Sequence, residues 1–480
     1  MTEKTNLPED QRFGFDTYLS PFTWRYASPE MRRIFSLLHE RVELPGRIWV
    51  AVAKVQADYG IIDTGQYEDI RKGIENADMY KVLLRSLELE KIYKHDLIAT
   101  KDAFAEECSV GGAVLHHGMT SMDIQNNMEA MVLKEALIII EERVVNLLRA
   151  LQDKMIDFFD LICMGWTHIV AAEPITFSFR LAQFSQDLLL DLRSLRNLVI
   201  LAKGFKGAVG TSASYQEMLK GKATTREFEG AVLSQLGLQA FDITNQTIPR
   251  KQDLEVLQLL ARISQSVYRL ARDIRLLNSS FCMEVSEPSR KGQKGSSAMP
   301  GKPPNPINTE GCCSLATLPF AFEQVAWLNA SLSMLERTLD DSGNRRIFVP
   351  EAFLASDDIL MRMEKVITGL ITHKSMMEKH LEEFGPFAAT ESLLIAMVEK
   401  GFDRQEGHKV LNDICVSSWE AVKEGRSNPL IRLALENEVI AGVLSQEEIR
   451  RALASYREHT GDAKERTQTL LDEIHKEINT

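Results

Sequence analysis

Long apolar runs are missing from this chain. None approaches the ~18 residues that a membrane-spanning helix needs, so no segment reads as a membrane span. The first residues, MTEKTNLPEDQ, lack the apolar core of a secretory leader. Cysteine is sparse: six residues, at 108, 163, 282, 312, 313 and 415, with no CxxC pair among them. That excludes a disulfide scaffold and implies reduced thiols in a cytoplasmic protein. Basic residues are in deficit, 56 Lys and Arg against 68 Asp and Glu, for a formal charge of -12. A general nucleic-acid or anionic-membrane binder is thereby excluded. There is no internal repeat and no low-complexity tract. Proline and glycine are modest in number and collect in one place. The segment Pro288–Thr309, PSRKGQKGSSAMPGKPPNPINT, holds 5 of the 15 prolines, three glycines and four basic residues without one acid. Such a segment cannot continue a helix, and long loops inside compact domains are functional or disordered.

Helical residues fill the rest, and 480 residues are enough for a large core and more than one domain. Leu133, Leu137, Ile140, Val144, Leu147 and Leu151 alternate steps of 4 and 3, as do Val256, Leu260, Ile263, Val267, Leu270, Ile274 and Leu277. Leu181, Phe184, Leu188, Leu192, Leu195 and Val199 nearly match. Spacing of this kind builds antiparallel bundle or coiled-coil helices. Extra apolar residues beside the stripes (Ile138, Ile139, Leu189, Leu190) imply a second buried face and hence oligomer contacts. The expected architecture is all-α: an N-terminal helical domain over 1–120, a central long-helix bundle over 121–372, and a small C-terminal helical domain over 373–480.

Polar clusters sit between the helices. Arg25 and Tyr26 precede Ser28-Pro29-Glu30, a helix start with N-cap, Pro at the first position and an acid in the first turn; Arg25 reads equally as a surface charge. Lys94-His95-Asp96 reads first as a structural His–acid pair. In GGAVLHHGMTSMD, Thr120 or Ser121 caps the helix that follows, and such an N-terminus suits a carboxylate or phosphate. The adjacent His116 and His117 lack metal-pair spacing, so no metal is expected. Thr167 and His168 fall in a turn bounded by Gly165 and Pro174, where His168 is either a satisfied core residue or catalytic. KGAVGTSAS (206–214) is another small-residue loop, and Gln246 precedes a long helix. In LERTLDDSGNRR, Ser342, Arg345 and Arg346 suit a phosphate or, alternatively, an N-cap with surface arginines. Thr120-Ser121 and His168 flank a helical run of roughly 40 residues, about 60 Å. If both serve one site, that site is built from several chains.

GSSAMPGKPPNP resembles the GSSxMPxKxNP loop of the fumarase/aspartase superfamily of lyases. Along the whole chain, WRYASPEM, KHD, GMTSMD, GWTHIVAAEP, KGAVGTSAS, ITNQTIPRKQD, CCSLA and LERTLDDSGNRR resemble its adenylosuccinate lyase family, in the branch that also occurs in animals. The resemblance implies a three-domain all-α fold, a homotetramer with sites shared between three subunits, and no metal or organic cofactor. It implies β-elimination of fumarate from adenylosuccinate, giving AMP, and from the succinyl-carboxamide ribotide of purine biosynthesis. It makes Ser296 the base and His168 the acid, with His95 in support. Lys302, Asn305, Thr120 and Ser121 would hold the succinyl carboxylates, with Gln246 nearby and Ser297 and Met299 in the same loop. Arg25, Tyr26, Ser342 and Arg346 would hold the phosphate; Lys94, Asp96, Thr167 and Leu339 complete the substrate contacts.

This sequence departs from the family in four places. RHD is KHD here, which exchanges a planar fork for a point charge at Lys94. Gly301 replaces an aromatic, Gly311 replaces a basic residue, and Pro303-Pro304 adds one residue between Lys302 and Asn305. Two other readings therefore stay open: a lyase releasing fumarate from another succinylated amine, and a helical-bundle paralogue with little turnover.

Overall fold

The computed structural model describes residues 16–289 and 299–479. It is built almost wholly of helices, as the composition implies. The chain divides into two compact units: Met1–Arg143 with Asp191–Gln265 and Ser314–Leu360, and Val144–Leu190 with Ser266–Cys313 and Met361–Thr480. Four of the boundaries fall inside long helices, namely Ser121–Asp157, Phe177–Asn197, Lys251–Leu277 and Ser342–Thr368. The first of these has 37 residues and, at 1.5 Å each, is about 55 Å long.

The apolar stripes explain these helices. Every stripe residue from Leu133 to Leu151 and from Val256 to Leu277 is buried, as are Leu181 to Leu195. Val199 is the exception: its helix stops at Asn197, and Val199 is exposed. Beside the stripes Leu189 is buried, whereas Ile138 and Leu190 are exposed on this chain.

In the first unit the N-terminal helix Pro29–Ile34 starts as its sequence dictates. Ser28 caps it by accepting from the Met31 N–H (3.1 Å), with Pro29 at the first position. The residues before it lie along the Ser342–Thr368 helix: Ser20 donates to Glu351, and the Ala27 and Ser28 N–H groups donate to Asp358 and Asp357. Next, His39–Glu43 forms a π-helical stretch that runs into the Leu44–Asp58 helix.

In the second unit the expected turn from Gly165 to Pro174 is instead a β-hairpin. Strands Ile162–Thr167 and Val170–Thr176 pair antiparallel, with a register shift between Met164 and Trp166. β-Branched residues (Ile162, Thr167, Val170, Ile175, Thr176) favour the pleat. Gly165 sits at the irregularity because a Cβ there would lie 2.5 Å from the Glu173 carbonyl oxygen. Only His168 and Ile169 remain as the turn. A second strand pair, Val285–Ser286 with Ile371–Thr372, precedes the helix Lys374–Ala388 that packs on the hairpin.

Candidate active site

Several of the singled-out residues meet in the first unit. A cavity of about 360 Å³ is lined by Asp96, Gln125, Ser342 and Arg346, together with Arg41, Arg250, Arg337 and Arg345. Lys94 ends the Met79–Tyr93 helix in the left-handed region (φ 54°), and His95 caps the next helix, its Nδ1 accepting from the Ile98 N–H at 3.5 Å. That chain reversal turns Asp96 to Arg346 Nη2, 2.9 Å away. Burial raises the Asp96 carboxyl, but the Arg346 charge and the Leu97 N–H outweigh it and hold it below the usual range.

Arg345 lines the same cavity, but its guanidinium is committed to carboxylates of the first unit. Its guanidinium forks onto Asp253 (2.8 and 3.0 Å) and reaches Glu129 (2.8 Å). Arg250 bonds Asp341 and Glu129, and Arg337 bonds Asp341. Burial works to raise the Glu129 carboxyl, yet the charges of Arg345 and Arg250 bring it below its ordinary value. Arg346 makes its ion pair with Asp96 while its side chain stays 65% exposed, so it is the lining arginine best placed for an incoming anion.

Asp123 anchors the helix start that carries Thr120 and Ser121. It is fully buried and accepts from Lys203 Nζ (2.5 Å), the Tyr215 hydroxyl (2.9 Å) and the N–H groups of Gly207 (3.2 Å) and Thr120 (3.0 Å). The helix begins at Ser121, with Thr120 in the capping position. Ser214 adds a bond to the Gly118 carbonyl (2.9 Å). The small residues of the 206–214 loop are needed there: Gly210 has φ +84°, and a Cβ on it would sit 1.9 Å from the Thr244 carbonyl oxygen. Gln246 is in the neighbouring loop, its N–H bonded to the Glu336 carbonyl (3.2 Å). Leu339 is exposed, and its carbonyl accepts from the Ser342 N–H. Arg25 is exposed and lies against the rings of Trp24 and Tyr26, 5.8 and 5.7 Å from their centroids. His116 accepts from Trp49 Nε1 (3.2 Å), and burial pushes its pKa down to about 4.

The second unit holds the other singled-out residues. His168 and Ile169 both have positive φ (55° and 63°), the two-residue hairpin geometry that glycine and asparagine favour. A β-branched residue in that region is strained, and such strain collects at functional sites. Thr167 and His168 are exposed. The hairpin is braced from below: Arg180 bonds Glu284 (2.9 Å) and the Met164 carbonyl, and His380 bonds Glu284 (2.8 Å) beside the Trp166 ring.

Ser296 and Ser297 lie outside the described residues. The segment just beyond them is described. Pro300 and Gly301 form a turn closed by the Lys302 N–H on the Met299 carbonyl (3.2 Å). A side chain at 301 would meet nothing within 4 Å, so the turn does not demand glycine. Asn305 accepts from the Ile307 N–H (2.9 Å). A Cβ on Gly311 would lie 3.6 Å from the Arg362 guanidinium, which borders the space a basic residue would occupy. Glu287 joins the two ends of the proline-rich segment. Its carboxylate accepts from the N–H groups of Asn308 (3.1 Å) and Thr309 (2.8 Å), from Asn308 Nδ2 (3.0 Å) and from Thr309 Oγ1 (2.5 Å).

Asp123, Arg337, Glu287 and the Arg180–Glu284–His380 brace were not singled out from sequence. Asp123 reads there as an ordinary first-turn acid, and the others are single charges whose partners are distant in the chain. Among the described residues, two groups have metal-ligating atoms within 4.8 Å of one another: Cys282, Glu284 and His380, and Glu173, Glu391 and His459. In the first, Glu284 and His380 are already bonded to each other, and Glu284 to Arg180.

Comparison with known proteins identifies the family. Residues 25–317 match the lyase family, and residues 386–470 match the adenylosuccinate lyase C-terminus. The adenylosuccinate lyase of Saccharomyces cerevisiae is 34% identical over 432 residues, 88% of each chain. That of Schistosoma mansoni is 35% identical over 439 residues, 90% of each. Among solved structures, a fumarate lyase from Mesorhizobium sp. BNC1 superposes with a TM-score of 0.80 over 95% of this chain and 99% of its own, at 23% identity, a likeness of fold. The chain belongs to the adenylosuccinate lyase family, within the fumarase/aspartase superfamily of lyases.

Proposed function

We propose that this chain is a carbon–nitrogen lyase that eliminates fumarate from adenylosuccinate to give AMP, and from the succinyl-carboxamide ribotide of purine biosynthesis. Ser296, as alkoxide, takes a proton from the carbon beside a carboxylate; the C–H electron pair is held on that carboxylate as a dianion and then forms the C=C bond as the C–N bond breaks. His168 protonates the leaving nitrogen. Lys302 and loop N–H groups favour the alkoxide. Lys302, Asn305, Thr120 and Ser121, with Gln246, Ser297, Met299 and Thr167 beside them, hold the succinyl carboxylates and stabilise the dianion formed on proton loss. Arg25, Tyr26, Ser342 and Arg346 hold the phosphate. Lys94, His95, Asp96 and Leu339 border the nucleotide. No metal or organic cofactor takes part.

The convergence of Asp96, Ser342 and Arg346 on one arginine-rich cavity carries the nucleotide part of this reading. It favours a phosphorylated substrate over another succinylated amine. Fumarate release from a panel of adenylosuccinate, succinyl-adenosine and argininosuccinate tests it. Turnover of adenylosuccinate alone is expected; equal release from the unphosphorylated nucleoside overturns the phosphate role.

The reading includes a cytoplasmic homotetramer of three-domain subunits (1–120, 121–372, 373–480), with each site shared between chains. The helix Thr317–Leu332 supports self-association: it buries only Pro319, Ala326 and Asn329 and exposes Phe320, Trp327, Leu328 and Leu332. An apolar face of this extent marks a protein interface.

A further inference from the structure

Among the ionisable groups described in the first-unit cavity, Glu40 has neither a role in the chemistry above nor a side-chain partner. Glu40 lies on the π-helical stretch His39–Glu43, a distortion that recurs at functional sites. Its neighbours on that stretch are committed. His39 bridges Glu43 and Glu135, each at 2.8 Å, and Arg41 bonds Ser86 and Glu90. The Glu40 carboxylate, partly buried, has no hydrogen-bond or ion-pair partner among the described residues. Glu129 faces it from the Ser121–Asp157 helix, and Arg345 and Arg346 from the Ser342–Thr368 helix. Arg41, Asp96, Arg250 and Arg337 complete the charged lining. Arg345 is taken by Asp253 and Glu129, and Arg346 by Asp96, so neither neutralises Glu40 directly. Burial and the Glu129 charge outweigh the two arginines and push its pKa up to about 7.

We propose that Glu40 is a substrate-site residue that takes up a proton when the phosphate of the nucleotide occupies the cavity. As the neutral acid it donates a hydrogen bond toward the anion; as the carboxylate it repels it. The proton comes from solvent and returns there on release. This rests on the nucleotide reading above and deepens it, since it makes phosphate binding proton-linked.

Calorimetric titration of the full chain with AMP at pH 7.0 and pH 8.5, in two buffers of different ionisation enthalpy, tests it. About half of Glu40 is protonated at the first pH and about 3% at the second, so AMP should bind about 16-fold more weakly at pH 8.5. Nearly one proton should be taken up per AMP bound there. The phosphate itself, with a second pKa of about 6, is already mostly dianionic over this range. E40Q should bind with similar affinity at both pH values and without uptake. Absence of proton uptake by the wild type at pH 8.5 overturns the proposal whether or not E40Q folds. So does an unchanged pH dependence in E40Q. Failure of the wild type to bind AMP at either pH defeats the nucleotide reading itself.

Discussion

Asp123→Asn probes how the first unit holds Thr120 and Ser121 in place. The carboxylate accepts four hydrogen bonds, and both it and Lys203 are fully buried. Asparagine keeps the shape but offers one carbonyl oxygen, and its amide hydrogens point at groups that also donate. Lys203 is left charged, with the Gly207 carbonyl (2.8 Å) as its remaining acceptor at this point. Removing one partner of a buried ion pair costs about 3–5 kcal/mol. Hydrogen exchange of peptides covering 118–124 and 204–210 reads this locally, without treating a multi-unit chain as two-state. If the network limits opening, exchange there should quicken about 10²–10⁴-fold, the same energy at 1.36 kcal/mol per decade. Lys203→Met should cost less, because Asp123 keeps three donors. The double variant should then recover part of the Asp123→Asn loss, since no buried cation is orphaned. Exchange within threefold of wild type in Asp123→Asn, or a double variant equal to the sum of the singles, would refute the reasoning.

Arg346→Ala should raise KM for adenylosuccinate about 10- to 100-fold, the worth of a charge-assisted bond of about 1.5–3 kcal/mol, as steady-state kinetics will read. Glu40 has a folded pKa of about 7 against an ordinary 4.5. Between those values the folded chain binds the extra proton, so this contribution is fully present below about pH 4.5 and lost as pH rises through 7, by about 3 kcal/mol. Thermal unfolding of wild type and E40Q at pH 5 and 8 should show the wild type losing more stability on going to pH 8. Glu287→Gln places an amide donor against N–H groups and should lower kcat with little change in thermal midpoint. Trp327→Glu should shift the chain to a smaller species in light scattering.

Period and punctuation made the helical fold legible. The 4,3 stripes identified three long helices, and Ser28-Pro29-Glu30 marked a start that the structure keeps. The GWTHIVAAEPITF segment was less legible. Gly165 and Pro174 read there as the bounds of a turn although the β-branched residues suit strands, and the hairpin owes its place to Arg180 and Glu284, a pair 104 residues apart in sequence. Arg345 and Arg346 show a second limit. Adjacent in sequence, they project to different sides of their helix, one onto Asp253 and Glu129 and the other onto Asp96. Sequence names the charge; only packing assigns the partner. For Ser296 and Ser297 the reading remains that of the GSSAMP motif.

The most direct test follows the ultraviolet change as the purified chain acts on adenylosuccinate, beside its Ser296→Ala and His168→Ala variants. Turnover of about 1 s⁻¹ or more in the wild type, the low end of typical enzymes, with loss in both variants, is the result this account predicts. Turnover that survives in Ser296→Ala, or a wild type that binds AMP and releases no fumarate, would contradict it.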